Sequence, residues 1–220
     1  MSRSDIPSSI QTERLEASLK RCPVVGIVRG FDLSEISGIA QAAVSGGLAL
    51  LEVTMNSNDP ESQIRRIKET SAGQLCVGAG TVTDVRLFEN AIEAGAEFIV
   101  APGLDHSIIR YGVQNGIPVI PGAMTPTEIY RAWDWGAFMV KVFPADPLGV
   151  GYIRSLRPVF PEIRFMPTGG VTRELAGAYF DAGASAVGVG GPLFDFRAIR
   201  ARDWGSITER CREFVQVAKV

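Results

Sequence analysis

Two ionisable residues sit in stretches of sequence that would strip them of water. Lys141 lies within Phe138-Met139-Val140-Lys141-Val142-Phe143-Pro144, and Glu52 within Leu50-Leu51-Glu52-Val53-Thr54. Both stretches read as short buried strands with one charge apiece. Burial disfavours the ammonium form of a lysine and the ionised form of a glutamate, lowering the first pKa and raising the second. A neutral lysine at working pH attacks carbonyls, and Schiff-base lysines are made this way. A carboxyl group with a raised pKa can take a proton and return it. A buried ion pair of purely structural use is the competing account of the same two residues.

The elements that would position them recur along the chain. Apolar, β-branched-rich runs begin near Val24, Ala49, Leu75, Glu97, Ile117, Phe138, Ile163 and Ser185, at intervals of 20 to 26 residues. Helix-like segments lie between them, among them Leu33–Val44, Pro60–Thr70, Asp84–Ala94, Asp105–Asn115 and Thr127–Trp133. Near-continuous apolar strands alternating with helices are the pattern of a parallel sheet covered by helices. Eight such units predict an α/β fold, a single (β/α)₈ TIM barrel, with Gly46-Gly47, Gly95, Gly116, Gly136 and Gly183 ending helices. A short N-terminal helix over residues 9–20 precedes the repeat, with Ile10, Leu15 and Leu19 on its apolar side. No linker or low-complexity tract divides residues 1–220, which read as one domain. An open doubly wound sheet is the alternative, weakened because no GxGxxG follows the first strand.

Barrels of this kind carry their chemistry at the C-terminal ends of the strands. Those ends supply Arg29-Gly30, Glu52, Gly78-Ala79-Gly80-Thr81, Ala101-Pro102-Gly103, Lys141, Thr168-Gly169-Gly170 and Gly190-Gly191-Pro192. Glycine pairs after the last two strands suit a phosphate bound by backbone N–H groups. Their other use is to make tight turns. Arg29 and Thr81 are the donors available for a carboxylate. Together these parts suit cleavage of a carbon–carbon bond beside the ketone of a 2-oxo acid, with Lys141 forming the iminium and Glu52 moving protons.

Bulk properties narrow the setting. A net charge of −2 over 220 residues gives no reason to expect nucleic acid or an anionic membrane as partner. Three widely spaced cysteines without a CxxC pair argue against a disulfide framework or a zinc site and fit a reducing compartment. With no signal core and no membrane-spanning run, the expectation is a cytoplasmic protein. The single histidine, His106, excludes a metal site built on several histidines and reads as a surface residue. Trp133 and Trp135 read as packing or subunit contacts, Arg65-Arg66-Lys68 as a solvated face, and the stretch from Ile207 to Ala218 as a helix closing the fold from outside.

The order and spacing of Leu51-Glu52-Val53-Thr54, Gly78-Ala79-Gly80-Thr81-Val82, Pro102-Gly103, Lys141-Val142-Phe143-Pro144-Ala145 and Pro167-Thr168-Gly169-Gly170-Val171 make the chain resemble a known family. It is that of the metal-independent class I aldolases for 2-keto-3-deoxy-6-phosphogluconate and -galactonate, with the related 4-hydroxy-2-oxoglutarate aldolases. The resemblance implies a homotrimeric barrel, without cofactor or metal, that releases pyruvate and an aldehyde such as glyceraldehyde 3-phosphate. It implies Lys141 as the Schiff-base lysine and Glu52 as general acid/base. Substrate contacts would come from Arg29, Asn56, Thr81, Pro102, Phe143, Thr168, Gly169, Gly170, Gly190 and Gly191. Cleavage of 4-hydroxy-2-oxoglutarate to pyruvate and glyoxylate is one alternative. A metal-dependent pyruvate aldolase, a phosphate-binding isomerase and a barrel that binds a phosphometabolite without turnover are others. Asn56 matches the galactonate branch of the family and Thr168 the gluconate branch. Pro192 stands where a phosphate-binding serine is common, and proline supplies neither hydroxyl nor amide donor. Hydrogen bonds to a charged group contribute ~1.5–3 kcal/mol each, so that exchange weakens a phosphate site.

Overall fold

Short apolar runs, each too hydrophobic to leave a face in water, become the strands of a curled parallel arrangement in the computed structural model, which describes residues 8–218. Six strands form one sheet: β1 (Val24–Val28), β2 (Leu50–Thr54), β3 (Cys76–Gly80), β4 (Ile99–Val100), β5 (Val119–Ile120) and β9 (Val187–Val189), in the order β5-β4-β3-β2-β1-β9. A second parallel sheet holds β6 (Gly122–Ala123), β7 (Val140–Val142) and β8 (Phe165–Pro167).

The fifth apolar run of the sequence is thus two strands, and the reason is Pro121. Proline has no N–H to give a ladder and interrupts the strand between β5 and β6. Its carbonyl still accepts from the amide of Lys141 at 2.9 Å, while Phe138 N bonds Val119 O on one side and Phe143 N bonds Ala123 O on the other. At the opposite seam Thr168 bridges Gly188 in parallel register. Glu52 lies across from Ile27 on β1 and Gly78 on β3, and Lys141 across from Gly122 and Met166.

Helices pack outside the strands: α1 (Ile10–Arg21), α2 (Leu33–Ser45), α3 (Pro60–Ser71), α4 (Val85–Glu93), α5 (His106–Asn115), α6 (Pro126–Asp134), α7 (Gly149–Leu156), α8 (Arg173–Asp181), α9 (Phe196–Arg200) and α10 (Trp204–Val217). Most start on a side chain suited to the task. Asp84, Asp105, Thr125 and Thr172 each accept a hydrogen bond from a first-turn amide, which satisfies a donor the helix leaves open. The glycines expected at helix ends behave so, with Gly47, Gly95, Gly116, Gly136 and Gly183 at positive φ.

One expectation needs adjustment, and one helix was not foreseen. Ile10 does not join the apolar side of α1: it is 81% exposed, whereas Leu15 is fully buried and Leu19 packs against the core. The helix presents its inner face only after its first turn. The short helix α9, between β9 and the C-terminal helix, carries no sequence period long enough to announce it. In α10, Ile207, Cys211, Phe214 and Val215 are buried as expected. All three cysteines are buried thiols, and burial pushes Cys76 and Cys211 up to about 12. They are inert core residues. Among the described residues no helix is long and apolar enough to cross a membrane.

Candidate active site

Lys141 enters the interior because β7 alternates it with Val140 and Val142, both fully buried. The lysine itself is 3% exposed. Its pKa is lowered, first by burial, then countered by the carboxylate of Glu52 and reinforced by the positive charge of Arg29. Glu52, 1% exposed on β2, is the mirror case. Burial raises its pKa most, and the charges of Lys141 and Arg29 pull it back. The two groups therefore feel each other in a dry interior, and each is biased towards its neutral form. Such opposed shifts are typical of sites where protons are moved.

Glu52 is held by the absence of a side chain next to it. A Cβ placed on Gly80 would lie 2.5 Å from Glu52 Oε1 and 2.9 Å from its Cδ. Glycine at that position of β3 is what allows the carboxyl group to stand there. Glu52 Oε2 is buried and has no hydrogen-bond partner among the described residues. A buried polar atom of this kind is costly unless a ligand uses it.

Around the lysine opens a cavity of about 360 Å³. Arg29, Lys141, Phe143, Thr168 and the glycine pairs 169–170 and 190–191 all line it. The Phe143 ring centroid is 4.9 Å from Lys141 Nζ, and the same ring lies against Gly169. Thr168, buried at the end of β8, donates its hydroxyl to Met166 O at 3.2 Å. Arg29 reaches from the end of β1 to Thr81, with Nη2 3.3 Å from Oγ1. Thr81 is itself unusual, a β-branched residue at φ +57°. That conformation is strained and is found mostly where function or surrounding structure imposes it.

Not every expected residue converges. Glu52 and Thr81 stand outside the cavity lining and meet it through the charge of Lys141 and the hydrogen bond of Arg29. Asn56, exposed just beyond β2, and Pro102, half-buried after β4, do not line it either. Ser57, beside Asn56, has the structural connection instead. Its Oγ lies 2.9 Å from Thr54 Oγ1 and accepts from Gly30 N at 3.2 Å. It thereby ties the turn carrying Arg29 to the strand carrying Glu52. Sequence reasoning also passed over Phe31, Phe194 and Phe196, which line the cavity. Their signal was only position, each following closely on a strand end. His106 lies on the surface, edge-on to Trp135 at 4.7 Å between ring centroids, remote from the cavity lining.

Comparison with known proteins brings the same chemistry into view. The family model described as KDPG and KHG aldolase matches residues 15–210. A 2-dehydro-3-deoxy-phosphogluconate aldolase of Pseudomonas aeruginosa is 32% identical over 208 residues, which are 94% of this chain and 94% of that protein. A 2-dehydro-3-deoxy-6-phosphogalactonate aldolase of Escherichia coli is 32% identical over 175 residues, 79% of this chain and 85% of that one. Among solved structures, a KDPG aldolase from Legionella pneumophila with pyruvate captured as a covalent carbinolamine superposes with a TM-score of 0.83. It is 27% identical, covering 94% of this chain and 98% of that one.

Proposed function

The chain belongs to the KDPG and KHG aldolase family, and from that premise we propose how its own residues cleave the substrate. It is a class I aldolase acting on a 2-keto-3-deoxy-6-phospho sugar acid of the gluconate or galactonate type, giving pyruvate and glyceraldehyde 3-phosphate. The observation that carries the assignment of roles is the pairing of Lys141 and Glu52 inside one dry site with pKa values displaced in opposite directions.

Neutral Lys141 attacks the C2 ketone to give a carbinolamine, which loses water to become an iminium. Glu52 takes the proton of the C4 hydroxyl. The C3–C4 bond breaks, C4 leaves as the aldehyde, and the bonding electrons move into the iminium as an enamine. Protonation at C3 and hydrolysis then release pyruvate and regenerate the amine. Arg29 and Thr81 hold the carboxylate, and Phe143 shields the imine from one side. Thr168 and the amides at Gly169, Gly170, Gly190 and Gly191 receive the aldehyde half. Asn56 and Pro102 shape the rim rather than the cavity wall. No cofactor or metal has a step in this chemistry.

The 4-hydroxy-2-oxoglutarate reading is less favoured, because glyoxylate is too short to fill the glycine-lined end. The seams at Pro121 and at Thr168–Gly188 support a closed eight-stranded barrel, with β5 and β6 as one interrupted strand. We take residues 1–220 as one domain, assembled as a homotrimer and working in the cytoplasm on a small sugar acid.

The test of mechanism is reduction with borohydride in the presence of pyruvate, followed by peptide mass spectrometry. The expected adduct is on Lys141. An active enzyme that carries no adduct there would not be a Lys141 aldolase.

A further inference from the structure

Part of the cavity wall is aromatic: Phe31, Phe194 and Phe196 all line it. Phe31 and Phe196 stack with centroids 4.6 Å apart and planes at 30°. Phe31 is 2% exposed, but Phe196 is 51% exposed, a large apolar ring that lines the cavity and still meets solvent. Gly30, at φ +73°, faces that ring: a Cβ there would lie 3.6 Å from it.

The wall is braced from behind. Fully buried Gln63 donates to Phe31 O at 2.9 Å and to Asn58 O at 2.7 Å. Arg200, on the same short helix as Phe196, pairs with Asp32 at 2.6 Å and Glu35 at 3.3 Å. These bonds fix α9 against the start of α2, and so fix one ring against the other. A preorganised apolar surface costs little to use on binding.

Among the residues lining the cavity the cations are Lys141 and Arg29, and Arg29 is turned towards Thr81. Beyond these two the lining offers a dianion glycine amides, a tertiary amide nitrogen at Pro192 with no hydrogen to give, and ring faces whose quadrupole is negative. Arg210, outside the lining, is engaged with the Pro192 carbonyl. A neutral chain end suits the same surroundings. It can take an amide hydrogen bond through its hydroxyl and lay its C–H edges on the rings, with no charge to desolvate.

We propose that the site also cleaves 2-keto-3-deoxy sugar acids whose far end is an unphosphorylated hydroxymethyl group, with Phe31 and Phe196 as the surface that receives it. The inference rests on the aldolase reading above. The bond broken is the same C3–C4 bond, and the products are pyruvate and a neutral hydroxyaldehyde.

The test compares kcat/KM for pyruvate release from 2-keto-3-deoxygluconate and -galactonate, each with and without the 6-phosphate, in the wild-type protein and in Phe196→Ala and Pro192→Ser. In the wild type the phosphorylated acid is expected to lead by less than about tenfold. Phe196→Ala should lose at least fivefold more on the neutral acids than on the phosphorylated ones, and Pro192→Ser should shift preference towards phosphate by fivefold or more. Borohydride trapping of pyruvate on Lys141 in every variant confirms a folded, competent site. A wild-type preference for phosphate above a hundredfold, or equal losses on both substrates in Phe196→Ala, overturns the inference while leaving the aldolase reading intact. Absence of the Lys141 adduct in the wild type overturns both.

Discussion

Burial and mutual charge act in opposition on Lys141. The dry interior favours the neutral amine, while the Glu52 carboxylate favours the ammonium ion. Glu52→Gln keeps the shape of the side chain and removes that opposing charge. The lysine pKa should then fall further, so the acid limb of imine formation with pyruvate, followed by borohydride trapping across pH, moves to lower pH. Turnover should drop by roughly 10²–10⁴, the range expected for loss of a positioned acid/base. A limb that stays where it is would mean that the Glu52 charge does not act on the amine. Both residues were legible from sequence because a charge inside an apolar run is conspicuous without knowledge of the fold. Phe31 and Phe196 were not, because aromatic residues after strand ends look like ordinary packing. Only the folded chain shows them stacked.

Short connections between elements aim the side chains. Ser57 joins the β1 turn to β2 by accepting from Gly30 N and meeting the hydroxyl of Thr54, which is fully buried. Ser57→Ala removes that acceptor and frees the turn that carries Arg29. A neutral hydrogen bond is worth ~0.5–1.5 kcal/mol net, so KM should rise roughly two- to tenfold with a smaller change in kcat, and Ser57→Thr should restore it. An unchanged KM in Ser57→Ala would show that Arg29 holds its place without the clasp. Gly80 makes the complementary case on β3. Its backbone angles are ordinary, but Gly80→Ala would press on the Glu52 carboxyl group, and kcat should fall while the far-ultraviolet circular dichroism spectrum is unchanged. The helices were readable from their place between the apolar runs, whereas the caps Asp84, Asp105 and Thr125 were not singled out, and α6 starts at Pro126 rather than Thr127. The break in the fifth strand and the exposure of Ile10 were not readable either. The first depends on which neighbour needs the missing N–H of Pro121, and the second on where α1 meets the core.

At the scale of the whole molecule, the repeat of strand and helix was legible because each unit buries its strand in the same way. Whether the edges of the two sheets meet was not, since that is decided by contacts between units rather than within them; the first and last strands, β1 and β9, pair inside one sheet. Two seams are where the proposed closure would be made. One is the run from Val119 to Ala123, which bonds β4 on one side and β7 on the other. The second is the bridge between Thr168 and Gly188. If both hold, neither sheet has a free edge, and the molecule should unfold as one cooperative unit. Fluorescence of Trp133, Trp135 and Trp204 and far-ultraviolet circular dichroism should then give coincident urea transitions. Gly188→Ala tests the second seam directly, because its methyl group would intrude on the hydroxyl of Thr168. Overpacking of this kind costs about 1–3 kcal/mol, so the midpoint should fall while the two probes stay together. Probes that separate in the wild type would mean two folding units joined at weak seams. An unchanged midpoint in Gly188→Ala would place closure elsewhere than at Thr168.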